Sequence, residues 1–176
     1  METDNRTRIQ QILKQYWGYD KFRPLQEDII LSVLDGKDTL ALLPTGGGKS
    51  ICFQVPALAM DGLCVVISPL IALMKDQVAA LERRNIPATF LNSTVPLDEM
   101  SRRLDAMALG EYKLVYIAPE RFRNERFLQA IARTELALLT IDEAHCISQW
   151  GHDFRPDYLN IREALAGFPD LPVLAV

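Results

Sequence analysis

Short apolar runs alternate along this chain with segments in which apolar residues recur every three or four positions. Continuous runs of this kind are typical of buried strands, and the three-to-four spacing is typical of amphipathic helices. The runs predict strands at residues 39–43, 63–68, 88–91, 113–118, 136–141 and 172–176. The helical spacing predicts helices at about residues 5–17, 24–34, 50–60, 69–84, 98–109, 124–133 and 158–166.

This alternation predicts one α/β domain over residues 1–176, with a mostly parallel sheet covered by helices on both faces. The length of 176 residues, with 49% hydrophobic and 24% charged residues, is ordinary for a single globular domain. Ligands of such sheets bind at the carboxyl ends of the strands. We therefore expect the chemistry in the loops that follow the predicted strands.

The loop after the first predicted strand is rich in glycine and opens the next predicted helix. Gly-Lys-Ser at a helix start is typical of a P-loop, whose glycine N–H groups surround phosphate oxygens. Lys49 can then reach the β- and γ-phosphates, and the Ser50 hydroxyl can bind Mg²⁺. The candidate residues are Thr45, Gly46, Gly47, Gly48, Lys49 and Ser50. Leu43 occupies the position of the first P-loop glycine, so a glycine-rich turn with a solvated lysine is the alternative.

Two acidic residues, Asp142 and Glu143, follow another apolar strand and offer the second half of a nucleotide site. In P-loop proteins the first acid helps to hold Mg²⁺, and the second can polarise the attacking water. The alternative is a pair of solvated acids in a loop. His145, Cys146 and His152 lie nearby but lack the paired spacing of zinc ligands.

Charge, cysteines and hydropathy limit the partners and the setting. The net charge of −4 argues against nucleic-acid binding by bulk attraction, so such binding needs a local patch. The three cysteines are odd in number and widely spaced, which favours free thiols in a reducing setting, the cytoplasm or, in a eukaryote, the nucleus. No run approaches the ~18 apolar residues of a membrane span, and we expect no membrane partner.

Five ordered motifs resemble those of the RecQ DNA helicases of superfamily 2, over nearly the whole chain from about residue 8. Residues 142–145 resemble the DEAH form of motif II, and residues 146–156 resemble the aromatic-rich loop of that family. The other similarities are residues 22–26 to motif 0, 68–77 to motif Ia and 116–121 to the motif Ib region. The resemblance implies a RecA-like P-loop NTPase lobe that uses ATP and Mg²⁺, in a family whose P-loops commonly lack the first glycine.

For the nucleotide, the resemblance implies a role for motif 0. Gln26 has the amide donor and acceptor that suit an adenine edge, and Arg23 and Tyr19 can stack on the adenine face. An ordinary exposed helix residue is the alternative for Gln26. The resemblance also assigns His145 to coupling with a second lobe, and Gln149 to coupling of the carboxylates with the aromatic loop.

For DNA, the resemblance implies stacking of aromatic side chains on bases, worth about 1–3 kcal/mol per base. The loop candidates are Trp150, His152, Phe154 and Arg155, with packing against the domain as the alternative. Analogy with motif Ia and the segment after it adds Ser68, Lys75, Asn92 and Ser93 as phosphate-backbone contacts. Arg121, Arg123 and Arg126 form a basic cluster, for which a solvated helix face is the usual interpretation.

The leading hypothesis is the first ATPase lobe of a RecQ-like DNA helicase that acts 3′ to 5′ on single-stranded and partly duplex DNA. Motif III would begin near Leu174, and the chain ends in a predicted strand, so we expect a longer protein with a second RecA-like lobe. Without that lobe, the polypeptide is expected to bind Mg-ATP, to hydrolyse it slowly and not to unwind DNA. The alternatives are an RNA helicase of the DEAD-box type, whose motifs differ, and a non-catalytic module that binds nucleotide or nucleic acid.

Overall fold

The computed structural model describes residues 2–44, 46–147 and 156–176 and arranges their strands in one sheet. The strands are β1 (Thr39–Leu40), β2 (Leu63–Ile67), β3 (Ala88–Leu91), β4 (Leu114–Ile117), β5 (Leu136–Ile141) and β6 (Val173–Ala175). Their order is β1-β6-β5-β2-β4-β3, and every neighbouring pair is parallel. The predicted α/β class with a parallel sheet is confirmed.

The helices of the described residues lie close to the predicted positions, two before the first strand and the others between strands. They are α1 (Glu2–Trp17), α2 (Gln26–Leu34), α3 (Ile51–Ala59), α4 (Ile71–Glu82), α5 (Leu97–Ala108), α6 (Glu125–Ala132) and α7 (Tyr158–Ala164). Two short 3-10 helices, Pro119–Arg123 and Ala144–Ile147, were not predicted. Segments this short span too few turns for a hydrophobic period to develop.

Two predicted boundaries change around the glycine-rich loop. The first strand is shorter than predicted, although the Ala41 N–H still donates to the Ala175 carbonyl at 2.8 Å. The second helix begins at Gln26 and not at Pro24, because Leu25 has a left-handed backbone with φ of 72°. Pro24 therefore lies in the turn before α2.

The sheet is buried on both faces, as the alternating side chains of β2 illustrate. Cys64 and Val66 pack on the face covered by α3 and α4. Leu63, Val65 and Ile67 pack on the opposite face, which α5, α6 and α7 cover. Burial of both faces explains why the strands read as continuous apolar runs.

A smaller apolar cluster fixes the first two helices against α3. Ile9 and Leu13 of α1 pack there with Ile30 of α2 and Val55 of α3. This packing brings the turn between α1 and α2 beside the glycine-rich loop, which directly precedes α3. Among the described helices, none is long and apolar enough to cross a membrane.

The loops after β1, β2 and β5 converge at the carboxyl edge of the sheet. The Asp142 N–H donates to the Ile67 carbonyl at 2.9 Å, which joins the end of β5 to the end of β2. The Ala144 N–H donates to the Val176 carbonyl at 3.0 Å, beyond the end of β6. Strand order thus brings two sequence-distant loops to one place.

Candidate nucleotide-binding site

The glycine-rich loop has a shape that only glycine permits at two of its positions. A Cβ on Gly47 would lie 2.9 Å from the Pro44 carbonyl oxygen. Gly48 has φ of 75°, and a Cβ there would collide with the side-chain nitrogen of Gln26. Both positions therefore require a residue without a Cβ, which is typical of the tight glycine-rich loops that bind phosphate. Thr45, also predicted to belong to this cradle, lies outside the described residues.

Gln26 is buried, with 3% of its surface exposed, so the alternative of an ordinary exposed helix residue is wrong. Its Nε2 donates to the Gly48 carbonyl at 2.9 Å, and its Oε1 accepts from the Arg23 N–H at 2.8 Å. The Arg23 Nη1 donates to the Gly46 carbonyl at 2.6 Å. Motif 0 is therefore tied directly to the glycine-rich loop by side-chain-to-backbone hydrogen bonds.

A cavity of about 520 Å³ opens between this turn and the start of α3. Its lining includes Tyr19, Arg23, Gln26, Gly48, Ser50 and Gln54. The volume lies within the ~300–1,000 Å³ typical of small-molecule sites. An aromatic ring, a guanidinium and an amide around one cavity suit a purine base, and the predicted base-binding residues Tyr19, Arg23 and Gln26 do line it together.

A second, narrow cleft of about 60 Å³ lies between the glycine-rich loop and the end of β5. Lys49, Ser50, Ser68, Tyr116 and Asp142 contribute to its lining. The Ser50 hydroxyl and the Asp142 carboxylate are oxygen ligands of the type that Mg²⁺ prefers, and Lys49 adds a cation for a phosphate. The residues present therefore fit a magnesium–phosphate group, and Ser50 belongs to both the cavity and the cleft.

The pKa of Asp142 is raised above its ordinary value, chiefly by burial and next by the charge of Glu143. The Glu143 N–H, which donates to Asp142 Oδ1 at 3.0 Å, opposes this rise, as do Lys49 and the Ser68 hydroxyl. A cation bound in the cleft would favour the ionised carboxylate.

Glu143 and His145 lie next to this carboxyl, on the turn that begins the 3-10 helix Ala144–Ile147. Glu143 has φ of 55°, an uncommon conformation for a residue with a side chain, and such conformations cluster at functional sites. Its Oε2 lies 3.4 Å from Nδ1 of the exposed His145. The two residues predicted to activate water and to couple to a second lobe are therefore neighbours.

A buried polar pair beneath the cleft was missed from the sequence. Gln54 on α3 is 5% exposed, and its Nε2 donates to the Tyr116 hydroxyl on β4 at 3.1 Å. Burial raises the pKa of Tyr116, so its hydroxyl keeps its proton at neutral pH. A single polar residue in the apolar run Ile-Cys-Phe-Gln-Val, one turn after Ser50, was the signal that could have found the pair.

Two predicted DNA contacts, Ser68 and Asn92, are buried, with 4% and 1% exposure. The Ser68 hydroxyl accepts from the Leu70 N–H at 3.2 Å, and Asn92 Oδ1 accepts from the Thr94 N–H at 2.9 Å. Both side chains serve the turns that follow their strands, as serine and asparagine often do. These polar atoms are therefore already engaged in turns, and the phosphate contacts of the two residues stay predictions.

Lys75 and Ser93, the remaining two residues of that set, are exposed. Lys75 lines a groove of about 640 Å³ between α4, β3 and α5, together with Thr94 and Arg103. Gln149, Trp150, His152, Phe154 and Arg155 lie outside the described residues. Their roles remain predictions.

Two residues of the basic cluster and two of the cysteines have local explanations. Arg123 pairs with Asp157, and Arg126 Nη2 donates to the Ser101 hydroxyl at 2.7 Å. Burial raises the pKa of Cys52 and of Cys64 to about 12, so these thiols stay protonated. Within the described ranges, no group of three or more His, Cys, Asp or Glu residues could hold a metal ion.

Known proteins match this chain over most of its length. The sequence profile described as DEAD/DEAH box helicase matches residues 23–175. The chain is 47% identical over 165 residues to the ATP-dependent DNA helicase RecQ of Haemophilus influenzae, covering 94% of this chain and 27% of that protein. It is 49% identical over 168 residues to the ATP-dependent DNA helicase RecQ of Bacillus subtilis, covering 95% and 28%. The chain thus spans about a quarter of the length of these relatives.

Solved structures share the fold at lower sequence identity. Helicase MrfA bound to DNA and AMPPNP superposes with a TM-score of 0.73 at 20% identity, over 96% of this chain and 25% of that one. A hypothetical ATP-dependent RNA helicase from Sulfolobus tokodaii gives 0.68 at 18% identity, over 96% and 49%. The sequence matches confirm the resemblance to RecQ helicases, and the structural ones confirm the RecA-like helicase fold.

Proposed function

Since the chain belongs to the DEAD/DEAH box helicase family, we propose that it is the ATP-binding lobe of a RecQ-like helicase that moves 3′ to 5′ on single-stranded DNA and unwinds duplexes. The observation that carries this proposal is the meeting of two sequence-distant segments at one cleft. Lys49 and Ser50 of the glycine-rich loop line it with Asp142 from the end of β5. The base cavity adjoins this cleft at Ser50.

Each segment then has a defined task. The turn between α1 and α2 receives the base, with Tyr19 and Arg23 at its face and Gln26 at its edge. The loop amides and Lys49 would hold the phosphates, while Ser50 and Asp142 would hold Mg²⁺. Bound Mg²⁺ would neutralise charge that develops on the phosphate oxygens. Glu143 orients the attacking water and accepts its proton.

The activity of the whole protein depends on groups outside this cleft. A second RecA-like lobe would close over the nucleotide and supply an arginine, a contribution worth about 10³–10⁵ in turnover. We therefore infer that this 176-residue chain binds Mg-ATP, hydrolyses it slowly and does not separate strands. The aromatic loop around Trp150 would contact single-stranded DNA.

Steady-state ATP hydrolysis with and without single-stranded DNA or RNA, beside Lys49→Ala, tests the proposal. Nucleotide binding that is lost in Lys49→Ala, with little turnover, is the expected result. Absence of nucleotide binding by the unaltered chain would overturn it. Stimulation by RNA but not by DNA would favour the RNA helicase alternative, and robust strand separation would refute the need for a second lobe.

A further inference from the structure

A buried tyrosine on β4 connects the metal side of the site to the base side. The hydroxyl of Tyr116 accepts a hydrogen bond from Gln54 Nε2 at 3.1 Å. Tyr116 lines the narrow cleft with Lys49, Ser50 and Asp142, whereas Gln54 lines the base cavity. The pair therefore spans the distance between the two compartments inside the core.

The ring of Tyr116 is held by packing, so its hydroxyl has a fixed position. Phe53, the neighbour of Gln54 on α3, contacts this ring edge to face, with centroids 6.4 Å apart and planes at 69°. On β4, Tyr116 is paired with Val66 of β2 and Phe90 of β3. A hydroxyl fixed in this way adds a hydrogen-bonding group to a cleft that has room for only a few waters.

The direction of the Gln54 bond leaves the hydroxyl proton free to be donated. An amide nitrogen can only donate, so the tyrosine oxygen is the acceptor in this contact. Among the described residues, no acceptor takes the proton of the Tyr116 hydroxyl. Its place in the cleft beside Asp142 suits a donor to a water bound to Mg²⁺.

We propose that Tyr116 is a positioning residue for the hydrated magnesium–phosphate group and that Gln54 fixes the direction of its hydroxyl. The proposal rests on the proposed nucleotide-binding function. It predicts that the two residues act as one unit and that they affect the magnesium-dependent part of nucleotide affinity. A residue with a purely structural role would instead weaken binding equally with and without the metal.

The test is titration of the 176-residue chain with a fluorescent, non-hydrolysable ATP analogue, in magnesium and in EDTA. For each variant, the ratio of the two dissociation constants gives the gain from magnesium. Tyr116→Phe keeps the ring and removes only the hydroxyl. We expect it to reduce the gain about tenfold, the lower end of the effect of losing an outer hydrogen bond at a metal site, with affinity in EDTA unchanged.

Gln54→Met, which removes the donor with little change of volume, should reduce the gain in the same direction. Adding it to Tyr116→Phe should cause no further loss, because residues in one network are not additive. Tyr112→Phe is the matched control, since Tyr112 is a partly buried tyrosine in a different cavity, beside Gly110 and Lys113. It should keep the full gain.

The outcomes separate this inference from the proposed function. A full magnesium gain in Tyr116→Phe, or an equal loss in magnesium and EDTA, would overturn the positioning role while nucleotide binding stands. Additive losses in the double variant would overturn the coupling through Gln54. If the unaltered chain binds the analogue in neither condition, the proposed function itself fails, and the positioning role fails with it.

Discussion

The base cavity and the phosphate cleft meet at Ser50 but are prepared for a ligand in opposite ways. On the base side, Gln26 and Arg23 already make hydrogen bonds to the chain. On the cleft side, burial and the charge of Glu143 both disfavour ionised Asp142. A base therefore meets side chains that hydrogen bonds already hold in place, whereas a cation would relieve the electrostatic cost of ionising Asp142.

This difference separates affinity from selectivity. Hydrogen bonds to a base replace hydrogen bonds to water and so yield little net free energy, but a wrong base leaves a polar group of the cavity without a partner. Any suitable cation that binds beside the buried Asp142 carboxylate would offset the cost of its desolvation. We expect the phosphate and the metal to supply most of the affinity, and the turn between α1 and α2 to supply discrimination between bases.

The strongest way to break this arrangement is to disturb Gly48, which lines the base cavity and directly precedes Lys49 of the cleft. In Gly48→Ala the new Cβ would collide with the side chain of Gln26. The alanine backbone would also have to adopt a φ of 75°. Left-handed backbone costs an L-residue about 1–2 kcal/mol. We expect lower stability in chemical unfolding. Titration should also show at least about a tenfold loss of ATP-analogue affinity, which ~1.4 kcal/mol suffices to cause.

Gly110→Ala is a control that introduces the same backbone strain as Gly48→Ala but no collision with another side chain. Gly110 has φ of 77°, and no atom lies within 4 Å of an added Cβ. This variant should lose similar stability and keep its affinity for the analogue. Equal affinities for the two variants would show that the contact between Gly48 and Gln26 is irrelevant to nucleotide binding.

Removal of the Gln26 amide should have the next largest effect. Gln26→Leu leaves the Gly48 carbonyl and the Arg23 N–H without their side-chain partner. A buried group without its partner costs about 1–3 kcal/mol. We expect a loss of this size in the free energy of unfolding without nucleotide, measured by urea denaturation.

Two further variants sharpen this test of the base side. Gln26→Glu keeps an acceptor for the Arg23 N–H but has no donor for the Gly48 carbonyl at neutral pH. Gln11→Leu makes the same change as Gln26→Leu at an exposed position of α1 and should be nearly neutral. If Gln26→Leu is as stable as the unaltered chain, the hydrogen bonds of the base side contribute nothing, and the contrast with the cleft disappears.

The cleft side should respond to mutation in the opposite direction. Because its folded-state pKa lies above the unfolded value, Asp142 destabilises the ligand-free fold increasingly as pH rises through the folded pKa. Asp142→Asn should therefore raise the Tm at neutral pH by about 2–4 °C, the shift that ~1 kcal/mol produces in a chain of this size. The same variant should lose the gain in analogue affinity from magnesium.

The pH dependence provides the check on this prediction. The difference in Tm between Asp142→Asn and the unaltered chain should begin above about pH 4, where an unfolded aspartate ionises, and should grow with pH until the folded carboxyl is ionised. Asp105→Asn, at an exposed position of α5, is the control and should not show such growth. A lower Tm for Asp142→Asn at neutral pH would mean that the carboxylate stabilises the ligand-free fold.

The contrast also marks what the sequence can predict. The spacing of apolar residues predicted the strands and helices. Because both faces of the sheet are buried, consecutive strand residues such as Val65 and Val66 are all apolar, and this pattern is easy to recognise. Lys49, Ser50 and Asp142 were predicted to meet because parallel strands share one carboxyl edge. The glycine-rich loop was predicted because few residue types permit its shape.

Contacts that depend on packing between distant segments were not predictable. The burial of Gln26 follows from the seating of α1 and α2 on α3, which no local pattern encodes. Ser68 and Asn92 carry the same residue types whether they face a phosphate or close a turn. The pairing of Gln54 with Tyr116 joins residues 62 positions apart.

Leu25 offers the smallest and most specific test of the base side. It has φ of 72° at the start of α2 and is 54% exposed. Burial of its side chain therefore offsets little of the cost of this unfavourable backbone conformation. Leu25→Gly removes about 1–2 kcal/mol of backbone strain from the folded chain. It also stabilises the unfolded chain by about 0.5–1 kcal/mol, because glycine has more conformational entropy there. We expect a net gain of about 0.5 kcal/mol, visible as a Tm rise of about 1–2 °C.

The control is a substitution at the same position by a residue type that tolerates a left-handed backbone even less than leucine does. Leu25→Val is β-branched and should lower the Tm. Both variants should keep Gln26 in place and leave analogue affinity in EDTA unchanged, because Leu25 is not part of the lining of the base cavity. If Leu25→Gly instead weakens binding while the Tm rises, the strained turn itself holds Gln26 against the glycine-rich loop. The base side would then depend on stored backbone strain as well as on its hydrogen bonds.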